Sequence, residues 1–154
     1  MYLYHKKLMY YLTVFVSSML SALFFFPFIK MIVQRVRPAD ALIPLNDYSF
    51  PSGHATVSIV VCLLIWYVLQ PNIKTRYGKI LFLLLMIAAT LLIGTSRIVL
   101  HVHWFTDVIG GFLLGFVILA TNILIQKILY KTHLERKKVI QRHSKKQLID
   151  TLIK

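Results

Sequence analysis

Residues 96–107, which read SRIVLHVHWFTD, follow one long apolar run and precede another. They place Arg97, His103 and Asp107 at the mouth of what looks like a membrane span, where charged side chains cost free energy unless they serve a function. If the chain is helical from about Trp104, His103 and Asp107 are four positions apart and share a helix face. A carboxylate in that position can hold one imidazole nitrogen and leave the other free to attack or to take a proton.

The composition predicts an integral membrane protein. Of the 154 residues, 58% are hydrophobic, and the mean hydropathy of +0.71 lies far above that of a soluble globular domain. The length suits one domain, so we expect residues 1–154 to form a single membrane-embedded unit. The only cysteine, Cys62, lies in an apolar run, which excludes an internal disulfide or a cysteine metal site.

Four apolar runs cover residues 8–28, 55–69, 80–95 and 108–125. The first holds 21 residues without a charge, which is enough to span a bilayer. Lys6 and Lys7 before it leave a cleaved signal peptide as the competing interpretation, although no small-residue cleavage site follows. The second run reaches an adequate length only if its helix begins near Ser52, and Pro71 ends it.

The segments between these runs predict the rest of an all-α bundle of about four transmembrane helices. Residues 30–50 read as a polar loop, because Pro38 and Pro44 argue against one continuous helix, and residues 74–79 read as a short basic turn. Gly111 and Gly115 are four positions apart and predict a close-packing helix face. Residues 127–154 form a basic tail, either an amphipathic helix on an anionic membrane surface or a solvated segment that only sets topology.

The distribution of lysine and arginine predicts the orientation. Four spans would put the N-terminus, the turn at residues 74–79 and the tail on one side with fourteen of these residues, and leave four on the other. The positive-inside rule makes the richer side cytoplasmic. The net charge of +13 therefore fits membrane orientation better than nucleic-acid binding, and we expect no nucleic-acid partner. The loops at residues 30–54 and 96–107 would then meet on the outer face.

These outer loops contain the residue types that form an anion-binding site with acid–base groups. Arginine binds phosphate in bidentate fashion and lysine acts as a point charge. Backbone N–H groups at a helix N-terminus receive phosphate oxygens, and two histidines can divide attack and protonation between them. The residues are Lys30, Arg37, Ser52, Gly53, His54, Arg97, His103 and Asp107.

Three motifs occur in order with intact spacing: KX6RP at residues 30–38, PSGH at residues 51–54 and SRX5HX3D at residues 96–107. In these motifs the chain resembles the type 2 phosphatidic acid phosphatase (PAP2) family, the lipid phosphatases related to vanadium haloperoxidases. The motifs cover about half of the chain. One of them alone would be weak, because PSGH can occur by chance, but the three together are specific.

The resemblance implies a role for each matching residue. His103 would be the nucleophile that forms a phosphohistidine, Asp107 would orient it, and His54 would protonate the leaving oxygen. The remaining matches would bind phosphate: Lys30, Arg37, Ser52, Gly53 and Arg97. No metal or other cofactor is expected, because three cations already do the electrostatic work that Mg²⁺ does in other phosphoryl-transfer sites.

The resemblance also implies a six-helix fold, of which this chain has room for about four helices. We expect a short version of that fold without counterparts of the first two helices, and we hypothesise a homodimer that covers the exposed face. The implied activity is hydrolysis of a lipid phosphate or diphosphate in a bacterial cytoplasmic membrane, with undecaprenyl diphosphate slightly favoured over phosphatidylglycerol phosphate and phosphatidate. The alternatives are a non-catalytic, degenerate member and, more remotely, vanadate-dependent oxidation.

Several other polar residues have an ordinary interpretation beside a functional one. His101, His103 and Asp107 can be read as a metal-ligand cluster, but the phosphatase spacing explains two of them and leaves His101 as a neighbour. Arg35 is expected to touch lipid headgroups. Asp40 and Asp47 are expected to be loop charges.

Overall fold

Four α-helices make up most of the computed structural model, which describes the backbone of residues 2–152 and the side chains of residues 8–133, 135–137, 140 and 141. No strand occurs within residues 2–152, so the all-α prediction is confirmed. In chain order the helices are α1 (Tyr2–Val33), α2 (Gly53–Leu69), α3 (Arg76–Val99) and α4 (Phe105–Leu152), with a short 3-10 helix (Gln70–Asn72) after α2.

Each helix contains a segment long and apolar enough to cross a membrane: Leu8–Val33, Gly53–Asn72 (including the 3-10 helix), Arg76–Val99 and Phe105–Lys137. Much of their surface faces outward, and Leu20, Leu92 and Leu113 are 63%, 72% and 62% exposed. Apolar side chains exposed on this scale need an apolar surrounding. The prediction of an integral membrane bundle of about four helices is confirmed.

Side-chain caps fix where two of the helices begin. Ser52 has an extended backbone, and its hydroxyl accepts a hydrogen bond from the Ala55 N–H at 3.4 Å. The hydroxyl of Thr75 accepts from the Gly78 N–H at 3.1 Å. Such caps satisfy N–H groups that have no partner within the first turn of a helix. The predicted start of α2 near Ser52 is therefore confirmed.

Residues in the left-handed conformation end α1 and α3. Gln34 (φ 49°) follows α1, and His101 (φ 53°) follows α3. The His101 N–H donates to the Ile98 carbonyl at 2.9 Å, and the Val102 N–H donates to the Arg97 carbonyl at 3.2 Å. This pair of bonds is a Schellman motif, which satisfies carbonyls left free at the helix end. The backbone of His101 thereby sets the direction in which the chain leaves α3.

Several helix boundaries predicted from the sequence were wrong. α1 does not end near Phe28 but runs to Val33, so Lys30 lies in its last turn and not in a loop. α3 likewise includes Arg97, and it begins inside the turn predicted at residues 74–79. The predictions ended each span near its first charge, but lysine and arginine are good helix formers whose apolar stems pack along a bundle.

The basic segment after residue 127 is a continuation of α4, which is helical without interruption to Leu152. A helix agrees with the first of the two alternatives for this segment. Its position on a membrane surface and on the cytoplasmic side stays a prediction, and residues 153 and 154 lie outside the described residues.

Helices α2 and α4 each pack against the other three helices, and α2 has the more extensive contact with α3. The contact between α2 and α4 is close at two glycines. A Cβ on Gly111 would lie 2.6 Å from the Ser52 carbonyl oxygen, and a Cβ on Gly115 would overlap the Thr56 carbonyl oxygen. The predicted close-packing face of Gly111 and Gly115 is confirmed, and it brings the start of α4 against the start of α2.

We expect Gly115→Ala to lower the stability of the protein by about 1–3 kcal/mol, because the added methyl group meets helix backbone, which cannot move aside. Thermal unfolding in mild detergent would measure the loss. Gly110→Ala is the matched control, since the three atoms nearest to its methyl group belong to the side chain of Phe50 and not to backbone. Equal melting temperatures for Gly115→Ala and the wild type would contradict the close contact.

Candidate active site

A cavity of about 390 Å³ lies at one end of the bundle, where α1 and α3 end and α2 and α4 begin. Successive helices run in opposite directions, which brings these four termini together. The polar lining consists of three cations, two histidines and one carboxylate: Lys30, Arg37, Arg97, His54, His103 and Asp47. With Gly53, the structure thus gathers six of the predicted site residues around one space, and adds Asp47.

Part of the apolar lining lies deeper in the bundle, while Leu45 and Val102 line the cavity from the loops. Phe26 and Leu23 precede Lys30 by about one and two turns of α1, and Val57 follows His54 by about one turn of α2. The cavity therefore has a charged end at the rim and an apolar wall that continues toward the membrane interior. This arrangement suits an amphiphile with an anionic head.

Asp47 holds two of the three cations. Lys30 Nζ donates to Asp47 Oδ2, and Arg37 Nη2 donates to Asp47 Oδ1 at 2.5 Å. Partial burial raises the pKa of the Asp47 carboxyl, but the hydrogen bonds and charges of Lys30 and Arg37 outweigh it and hold this pKa below its usual range. The interpretation of Asp47 as an ordinary loop charge was wrong. The sequence held no signal that set Asp47 apart from Asp40, which is an acid of the same loop and closer to Arg37.

His103 lies between a donor and an acceptor. Its Nε2 is 3.4 Å from Arg37 Nη1, and its Nδ1 is 3.6 Å from Asp107 Oδ2. A guanidinium can only donate and a carboxylate only accept, so the tautomer that suits both carries its proton on Nδ1 and a lone pair on Nε2. His103 precedes α4, so the predicted shared helix face was wrong, although its Nδ1 does face the Asp107 carboxylate.

Asp107 is fully buried and has two close partners. Its Oδ2 accepts from the Trp104 N–H at 2.8 Å, and its Oδ1 accepts from Arg35 Nη1 at 2.8 Å. Arg35 also donates to Thr106 Oγ1 at 2.5 Å and lies over the Trp104 ring. The expectation that Arg35 touches only headgroups was wrong. A buried carboxylate needs a charged partner, but the burial of Asp107 is visible only in the structure, so the sequence held no signal for Arg35.

Ser52 is fully buried and does not line the cavity. The sequence predicted that the Ser52 N–H would bind phosphate. This prediction was wrong, because that N–H donates to the Asp107 carbonyl at 3.0 Å. Gly53 and the exposed side chain of His54, which begin α2, do line the cavity. Arg97 reaches it from the last turn of α3, with its Nε donating to Ser96 Oγ at 3.2 Å.

The loop of residues 34–52 closes over this end of the bundle and is fixed at several points. The Leu42 N–H donates to the Leu100 carbonyl at 3.1 Å, and Trp104 Nε1 donates to the Val36 carbonyl at 3.0 Å. Ser49 N–H donates to the Arg35 carbonyl at 2.8 Å. The loop therefore carries Arg35, Arg37 and Asp47 into the site in a defined register.

His101 does not join His103 and Asp107. Its Nδ1 is paired with Asp40 Oδ2 at the exposed rim, and this hydrogen bond holds the pKa of Asp40 below its usual range. Among the described residues, no group of three or more His, Cys, Asp or Glu side chains is arranged to hold a metal ion. The geometry thus gives the metal-cluster alternative no support.

The comparison with known families agrees with the three motifs. Residues 10–131 match the PAP2 superfamily, and the chain belongs to it. The resemblance drawn from the sequence is therefore confirmed.

Two curated relatives and one solved structure are similar to this chain over part of their length. The chain is 38% identical over 90 residues to phosphatidylglycerophosphatase B of Bacillus subtilis, which covers 56% of this chain and 44% of that protein. It is 32% identical over 93 residues to an undecaprenyl-diphosphatase of Sulfolobus acidocaldarius, covering 56% and 41%. The crystal structure of a transmembrane PAP2 type phosphatidylglycerolphosphate phosphatase from Bacillus subtilis superposes with a TM-score of 0.59 at 29% identity, covering 79% of this chain and 58% of that one. The matches span less than half the length of the two curated relatives.

Proposed function

We propose that this protein is a membrane phosphatase that hydrolyses a lipid phosphate or diphosphate through a phosphohistidine on His103. One observation carries the proposal: three cations and two histidines line a single cavity that is charged at its rim and apolar at depth. Membership of the PAP2 superfamily supports the same chemistry.

The proposed reaction has two steps. In the first, His103 Nε2 attacks phosphorus, an N–P bond forms, the bond from phosphorus to the leaving oxygen breaks, and His54 gives that oxygen a proton. In the second, His54 takes a proton from water as the water attacks the phosphohistidine, and the N–P bond breaks to release inorganic phosphate. Asp107 stabilises the positive charge that the His103 ring acquires during attack.

The phosphate oxygens would lie among Lys30, Arg37, Arg97 and the N-terminus of α2 at Gly53. Cations aimed at the place where charge develops lower the barrier most when they are fixed and shielded from water, and the side chains of Lys30 and Arg37 are 10% and 9% exposed. This donor set supports a reaction that needs no metal ion.

The apolar wall of the cavity supports a lipid over a soluble phosphate ester. The relatives are named for phosphatidylglycerol phosphate and for undecaprenyl diphosphate, so both belong among the candidates, together with phosphatidate. Phosphatidylglycerol phosphate is the first to test, because the relative named for it has the higher identity.

The excess of lysine and arginine on the opposite side of the bundle supports a site on the outer face of a cytoplasmic membrane. Labelling of single cysteines in the loop of residues 34–52 in intact cells, in a Cys62→Ala background, would test it. Protection of that loop until the cells are broken would contradict the orientation. The homodimer stays a prediction.

Phosphate release by the purified protein in detergent, with EDTA present, tests the function. We expect release from at least one of the three lipids, unchanged by EDTA. No release from any of them by a monodisperse, folded sample would contradict the proposal and favour the non-catalytic alternative.

We expect Arg35→Gln to lower kcat about tenfold with little change in KM, because Arg35 contacts Asp107 and not the cavity. Arg35→Lys should have a kcat between those of Arg35→Gln and the wild type, since lysine keeps the positive charge but lacks the planar, bidentate guanidinium group. Steady-state kinetics on the preferred lipid would measure both variants. A change confined to KM would contradict a positioning role.

A further inference from the structure

Asp47 occupies donors on two of the three cations that the proposed function assigns to phosphate. Its two carboxylate oxygens receive one hydrogen bond each, from Lys30 and from Arg37. Arg37 also donates from Nε to the Asp47 carbonyl at 3.0 Å. The side chains of the two cations are nearly buried, whereas that of Asp47 is 54% exposed at the rim of the cavity.

The donors of Arg37 are all engaged in this arrangement. A guanidinium has five N–H groups. Those on Nη1 face the Val102 carbonyl and His103 Nε2, those on Nη2 face Asp47 Oδ1 and the Tyr48 carbonyl, and Nε faces the Asp47 carbonyl. Arg37 therefore cannot receive a phosphate without giving up at least one partner.

The Asp47 carboxylate is the partner that a phosphate would displace. It is the one anion in this set, and a phosphate beside it would be repelled, whereas the carbonyl groups are fixed in the backbone and uncharged. Its exposure gives the side chain room to turn outward into solvent. The lowered pKa of Asp47 keeps the carboxylate ionised at neutral pH, so the competition operates under ordinary conditions.

We propose that Asp47 is an internal competitor for the phosphate site, a step that rests on the proposed function. The carboxylate holds Lys30 and Arg37 in register while the site is empty, leaves when the phosphate of a substrate arrives, and returns as inorganic phosphate departs. Asp47 thereby sets the affinity of the site for phosphate and limits inhibition by the product.

The test is binding of inorganic phosphate and of orthovanadate to the purified full-length protein, measured by calorimetry. Asp47→Asn and Asp47→Ser both remove the competing charge, and we expect each to lower the dissociation constant of both anions about tenfold. Asp40→Asn is the matched control, because Asp40 is an aspartate of the same loop that pairs with His101 outside the cavity. We expect it to leave both constants unchanged.

The possible results distinguish failure of this inference from failure of the proposed function on which it rests. Phosphate binding and lipid hydrolysis by the wild type, with binding unchanged or weakened in both Asp47 variants, would overturn the inference alone. Weakened binding would mean that Asp47 stays in place to orient the cations. Neither binding nor hydrolysis by a folded wild-type sample would overturn the proposed function and the inference together. Equally tighter binding in Asp40→Asn would show that any loss of negative charge strengthens anion binding, and this result would also overturn the inference.

Discussion

His103→Asn is expected to reduce phosphate release by a factor on the order of 10⁴ or more, because loss of a covalent nucleophile leaves only the binding and electrostatic contributions to the rate. Asparagine keeps a polar group between Arg37 and Asp107, so the bundle should still fold. Phosphate release at saturating lipid would measure the loss, and calorimetry with orthovanadate would verify that the cations still bind an anion.

His101→Asn is the matched control for this variant. His101 lies two residues away at the exposed rim, and asparagine tolerates its left-handed backbone, so the end of α3 should be preserved. We expect nearly unchanged activity. Appreciable residual turnover by His103→Asn, with the control fully active, would show that another group attacks phosphorus.

Asp107→Asn is expected to lower kcat by a factor on the order of 10³–10⁴, as in other enzymes in which a carboxylate orients a histidine. The amide still offers an oxygen to the Trp104 N–H, but it no longer balances the His103 ring during attack. It also leaves Arg35 beside a neutral, buried group. Single-turnover kinetics would separate this chemical effect from a change in binding.

Orthovanadate affinity provides the internal check on Asp107→Asn, because Asp107 does not line the cavity. We expect the dissociation constant to stay within a few-fold of the wild type. A large loss of affinity with an unchanged rate at saturation would contradict the assigned role and would indicate that Asp107 mainly shapes the anion site.

The sequence predicted that the three motifs would meet in one site, because each motif lies at the end of an apolar run. Alternating spans bring the end of one run and the start of the next to the same side, so Lys30, His54, Arg97 and His103 had to meet at one end. Spacing within each motif then fixed the local register. The structure adds the depth of the cavity and the partners of each donor.

Arg35 and Asp47 could not be assigned from the sequence for a common physical reason. Both act through contacts across the fold of the loop at residues 34–52, and no periodic pattern governs the path of such a loop. The burial of Asp107 is equally invisible in the sequence, although once it is known, a charged partner such as Arg35 is required.

The predicted ends of α1 and α3 were wrong because each helix was expected to end before the first charged residue after its apolar run. The left-handed residues Gln34 and His101, and not the charges before them, mark where α1 and α3 stop. Neither is a glycine, so the usual signal of a helix end was missing.

The most direct test of the central claim is to trap the phosphoenzyme. The purified protein would be mixed with ³²P-labelled phosphatidylglycerol phosphate or undecaprenyl diphosphate in the presence of EDTA, quenched in alkali to preserve phosphohistidine, and digested for peptide mapping. We expect label on the peptide that contains His103, and none in His103→Asn. Label on another residue, or hydrolysis that proceeds without any trapped label and persists in His103→Asn, would contradict the phosphohistidine mechanism.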